Sequence, residues 1–304
     1  MANQIIAGQM PVVLEDGTPN VNKSNYMDAF HSENWERLNF DSRVSALQHL
    51  ENQSASEQGR SARTIEPSFF EKDENGFTTV GYYSPEEQDK LFINQDAINS
   101  NSPYQAMSTV LHEGRHAYQD DIVNDRTSTD KNMDPADAQL VDQNKDVWEK
   151  NMQDDVYFSP KEGDSFSEYR YQPIEADANN YSDAKMAEFG EKFGDDFNYL
   201  EWQNIRQGKN SQNCEDAKRE LNCENPEECM KERVLEKSEA LDKQEQSSHS
   251  DGTDPSNHLN DMPQPQTKTS GMEKSQSSTT SSESNKSQDT GKSDGYDYDY
   301  GYGY

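Results

Sequence analysis

From Ser247 to Gly295 the only apolar side chains are Leu259, Met262 and Met272. A stretch this poor in core-forming residues cannot bury enough apolar surface to offset the entropy of ordering it. Its Ser/Gln/Asp/Thr bias predicts a disordered tail. The shortage extends to the whole chain of 304 residues, of which 30% are hydrophobic, with mean hydropathy −1.24 and formal net charge −31. One modest folded domain with tails fits such values better than a core running the full length.

The charge also sorts partners. Nucleic-acid binding needs a basic stripe against phosphate, and an anionic membrane surface repels an acidic chain. A protein or peptide substrate and a basic protein partner stay compatible, as does adaptation to high salt. No apolar run approaches the ~18 residues of a membrane span. The opening "MANQIIAGQMPVVLEDG" lacks the basic region and long apolar core of a signal peptide. The expected location is cytoplasmic, or outside the cell by a route without a cleaved leader. Cys214, Cys223 and Cys229 form no C-x-x-C pair. Free thiols in a reducing compartment are expected, with a helix-to-helix disulfide in a secreted form as the other option.

Four segments follow from pattern. Residues 1–23 read as an N-terminal arm, 24–206 as the folded domain, 207–246 as an acidic solvated helical segment, and 247–304 as the disordered tail. The tail ends in "DGYDYDYGYGY". Its Tyr alternation resembles a strand, but Gly and Asp are poor strand formers, so a flexible aromatic end is expected.

Within the domain, Tyr26, Phe30, Leu38, Val44, Leu47 and Leu50 are spaced for a helix over Ser24–Leu50, and 51–62 reads as a loop. "RTIEPSFF", "GFTTVGYY" and "KLFIN" predict a small antiparallel sheet over 63–94. A helix capped by Ser102, with Pro103 in its first turn, should run to Val123. Another should cover 134–153, an irregular aromatic stretch 154–172, and a third helix Pro173–Phe189. The class is therefore α+β: a small antiparallel sheet packed on the 102–123 helix and the Pro173 helix.

The chemistry concentrates in "STVLHEGRHAYQDD", residues 108–121. Met107, Val110, Leu111, Gly114, Ala117, Tyr118 and Ile122 give this helix an apolar or small face. His112 and His116 are four apart, so their rings sit one turn above each other and can grip one zinc ion. Glu113 is placed to act as general base toward a water molecule.

A catalytic zinc takes three protein ligands, and the metzincin extension of the motif is missing. His31 and His49 lie on the first helix and His249 and His258 in the tail, so a carboxylate is expected. Glu175, in the first turn of the Pro173 helix, is preferred over Asp177 and Glu168. Asn179 is a candidate to bond a ligating histidine from outside, and Asp120 either orients His116 or is a solvated acid. Tyr169 and Tyr171 are catalytic candidates as oxyanion donors, with Tyr181 a further option.

The motif H112-E113-G114-R115-H116, with Glu175 from a later helix, resembles the gluzincin group of zinc metallopeptidases over Ser24–Phe189. "TVLHEGRHAYQ" and "QPIEADA" are similar to the zincin-like metallopeptidase domains of bacterial polymorphic toxins and secreted effectors. The resemblance implies Zn2+ on His112, His116 and Glu175, with Glu113 as base. It also implies a zincin-like fold whose edge strand binds an extended peptide, and an immunity or inhibitor protein as a partner. A zincin-like domain that binds without cleaving, or a protein acting through its tail, are the other readings.

Overall fold

The computed structural model describes Val21, 26–72, 78–127, 135–249 and 300–301. The predicted arm and tail therefore lie outside the described residues, except for Val21, 247–249 and Tyr300–Gly301. By packing, 1–240 and 293–304 form one unit, and 241–292 a second, described only at 241–249.

The helices are α1 (Ser32–Trp35), α2 (Phe40–Glu57), α3 (Gln95–Asn99), α4 (Tyr104–Val123), α5 (Pro135–Asn151), α6 (Phe166–Tyr171), α7 (Pro173–Phe193), α8 (Phe197–Glu220) and α9 (Pro226–His249). The strands are β1 (Thr64–Ser68), β2 (Thr78–Thr79), β3 (Gly81–Tyr83), β4 (Lys90–Asn94) and β5 (Tyr300–Gly301). The protein is thus mixed α+β and mostly helical. Among the described residues no helix is long and apolar enough to cross a membrane.

The sheet departs from expectation. Its order is β1-β4-β3, and β4 pairs antiparallel with β3 but parallel with β1. The apolar runs mark where the strands lie, but turn residues do not reveal that β1 is followed by a strand it never pairs with. Central β4 buries Leu91, Phe92 and Ile93 in succession, as a strand covered on both faces must. Pro67, which has no N–H to give, sits on edge strand β1. Tyr300–Gly301 pairs antiparallel with Thr78–Thr79. Edge pairing uses main-chain groups that even Gly carries.

The first predicted helix is broken. Tyr26–Phe30 is a 3-10 turn, and α2 starts afresh at Asn39, whose side chain accepts from the Ser42 N–H. It then continues through the expected loop to Glu57. Polar "ENQSASE" reads as solvent-facing, but Glu51 is buried in a paired contact with Arg60. Pro103 rather than Ser102 occupies the cap position of α4, and no side chain caps it. The aromatic stretch before Pro173 contains α6, closed by a Ser165/Glu168 capping box that "SFSE" carries in sequence. α8 runs unbroken across 206–207. Cys223 and Cys229 form a disulfide between the end of α8 and α9, and Cys214 is a free thiol, so the all-free expectation fails for two of three. α9 is less solvated than expected, because Met230 and Val234 are fully buried.

α4 is the axis of the molecule. Every residue from Ala106 to Ile122 is buried. Its first half joins a cluster with Phe30, Trp35, Leu47, Leu91 and Phe193, and its second half joins Trp148, Tyr157, Tyr169 and Ile174. Fully burying one such side chain stabilises by about 1.5–3 kcal/mol, so the α4 face is fixed by burial on several sides. β3 lies along it. A Cβ on Gly81 would stand 2.5 Å from Thr109 Cγ2, and Tyr83 Oη donates to Asp120 Oδ2 at 2.5 Å. At ~100° per residue, Thr109, Glu113, His116 and Asp120 share one stripe of the helix. The edge strand therefore follows the side of α4 that carries Glu113 and His116.

Candidate metal centre

α4 and α7 pack against each other more extensively than any other helix pair described. Their contact brings Glu175 to His112 and His116, more than fifty residues earlier in sequence. All are buried, His112 and His116 at 2% exposure and Glu175 at 0%. Two surface histidines on a polar helix would not look like this.

The ring atoms His112 Nε2 and His116 Nε2 are 3.1 Å apart, and Glu175 Oε2 lies 3.3 Å from the first and 3.5 Å from the second. Three donors on a tetrahedral ion with bonds of about 2.0–2.1 Å stand about 3.3 Å apart, so the triangle has the right size for one ion at its centre. Glu175 Oε2 is buried with no hydrogen-bond donor of its own. A buried carboxylate oxygen left this way is costly unless a cation meets it. Two imidazoles and one carboxylate form a donor set for first-row divalent ions, zinc among them. The residues present fit a metal, and the geometry alone does not name which.

Burial would push the Glu175 carboxyl upward, but the neighbouring His116 and His112 rings outweigh it and hold it well below the usual carboxylate range.

The neighbours of this triad were less legible. His116 Nδ1 meets Gln119 Oε1 at 2.9 Å. With Gln119 accepting, the Nδ1 proton is fixed and Nε2 is left bare toward Glu175. The Gln119 amide is itself held, donating to Ile174 O at 2.9 Å and Asp177 Oδ2 at 2.6 Å. Asp177 also pairs with buried Arg115 at 2.9 Å, and that guanidinium lies 4.4 Å from the Tyr118 ring centre. Gln119 is three residues past His116 on an inward face, the spacing at which helical side chains touch. That spacing is visible in the sequence.

Asp120 does neither job expected of it. It is buried, accepts from Tyr83 Oη and Asn124, and pairs with Arg126. Asn179 donates to Glu175 O of its own helix and accepts from Arg206, so it does not reach a histidine ring. Glu168 caps α6 and pairs with Arg233 at 2.6 Å.

Of the tyrosines, Tyr169 packs in the apolar cluster with its ring 6.3 Å from that of Tyr157. Tyr171 has its hydroxyl pushed up to about 12, chiefly by burial, with Arg170, Cys214 and Glu227 as charged or polar neighbours. Tyr181 bonds Ser54 Oγ at 3.0 Å. A tyrosine not singled out from the sequence, Tyr157, donates its hydroxyl to Glu175 Oε1 at 2.9 Å. No family model matches the chain, and neither does any curated protein or solved structure.

Proposed function

We propose that this chain is a zinc-dependent metalloendopeptidase of zincin type, with His112, His116 and Glu175 as ligands and Glu113 as general base. The observation that carries the reading is the buried triangle of two Nε2 atoms and one carboxylate oxygen. Glu113 supports catalysis over mere metal storage, because it shares the stripe of α4 that carries His116, a place from which a general base can reach a water beside the metal. Zinc, when bound there, supplies a Lewis acid that makes water a nucleophile near neutral pH. Glu113 takes the proton from the attacking water and passes it to the leaving amine. Gln119 keeps the His116 ring in one tautomer. An extended peptide can add to the edge of β3, beside the Glu113–His116 stripe, through main-chain hydrogen bonds.

The resemblance to toxin and effector domains makes a delivered peptidase the matching role, with an immunity or inhibitor protein guarding the producing cell. The Cys223–Cys229 disulfide supports passage through an oxidising compartment. One observation favours a second reading. His112, Glu113, His116 and Glu175 are all at most 2% exposed, as in a site that binds metal without turning over substrate.

Cleavage of a peptide library by zinc-loaded protein separates the two. The peptidase reading expects cuts that a chelator abolishes and added zinc restores. Protein that holds one zinc and cuts nothing under any condition establishes the second reading.

A further inference from the structure

The sequence offered no reason to single out Tyr157, yet its hydroxyl donates to Glu175 Oε1, the oxygen turned away from the two histidines. It stands in the connector between α5 and α6, flanked by Val156 and Phe158, and all three side chains are buried. The connector is held from both sides of the site. Gln172, the residue before α7, accepts from Phe158 N at 3.0 Å and donates to Phe158 O at 2.9 Å. Asn151, at the end of α5, donates to Gln172 Oε1 at 2.9 Å and accepts from Ile174 N at 3.2 Å. Tyr157 therefore has little freedom to leave.

A carboxylate has two oxygens and can give a metal one or both. Here the two are already divided. Oε1 accepts from Tyr157, while Oε2 faces the two histidine nitrogens. Turning Oε1 toward the ion would break this buried hydrogen bond, which opposes the turn.

We propose that Tyr157 is a positioning residue that restricts Glu175 to one metal-ligand oxygen and so keeps a coordination position open for water. The inference rests on the metal-binding half of the reading above and not on peptide cleavage. It separates a catalytic centre, which needs an open position, from a closed structural one. A second carboxylate oxygen would fill the position that the water uses.

The test uses full-length wild type and Tyr157→Phe, each loaded with Co2+ in place of zinc, and reads visible absorption. Four-coordinate cobalt absorbs strongly, and each added ligand weakens the band. Wild type should show the intense band and should bind azide at the open position, seen as a spectral change on titration. Tyr157→Phe should bind cobalt with a band several-fold weaker and should lose most of the azide response. Tyr157→Leu, which also lacks the hydroxyl, should show the same weakened band and lost azide response. A packing role alone would not move the band. Identical spectra and azide titrations in all three proteins would overturn the proposal while leaving the metal site intact. A wild type that takes up no cobalt would overturn both.

Discussion

Glu113→Gln is expected to lower kcat/KM for peptide cleavage by about 100- to 10,000-fold, the range that a positioned general base contributes. Metal content should stay at the wild-type level. The amide has nearly the shape of the carboxylate but cannot take a proton from water. Activity and bound zinc measured on the same preparation check both halves. Retained activity with full zinc would remove Glu113 from the chemistry.

Glu51→Ala should be the most destabilising single change in the α2–α4 region. Glu51 and Arg60 form a two-pronged pair at 2.6 and 2.9 Å, and neither side chain has exposed surface. Glu51 also accepts from Arg63 N at 2.8 Å. The pair leans on α4, since a Cβ on Gly114 would stand 2.6 Å from an Arg60 nitrogen. Removing Glu51 leaves a guanidinium buried without its counter-charge, which costs about 3–5 kcal/mol. For a domain of this size that corresponds to a fall in Tm of about 6–20 °C. Replacing both members with leucine should recover much of the loss, because no charge is then stranded. Thermal unfolding of the single and double variants checks this. An unchanged Tm in Glu51→Ala would mean that the pair contributes nothing.

What the sequence made legible was local. His112 and His116 share a helix, so a four-residue spacing places both rings. Glu175 was reachable because a proline and a first-turn acid mark a helix start. What failed to show was long-range. Nothing in "RTIEPSFF" or "KLFIN" says that these strands become parallel neighbours. Glu51 and Arg60 read as loop residues because a polar stretch looks the same whether solvated or paired inside. Acids commonly orient a histidine, which makes Asp120 the expected partner of His116, but one position decides it: Gln119 faces the ring and Asp120 faces Tyr83. Tyr157 lies in irregular chain, where no period places a side chain.

Metal content is the most direct test of the central claim. Full-length protein is equilibrated with zinc, freed of excess by dialysis, and assayed for metal per chain alongside His112→Ala and Glu175→Ala. The account predicts about one zinc per wild-type chain and close to none in either variant, since three protein ligands define a catalytic site. A wild type without zinc, or variants that retain it in full, would contradict the account.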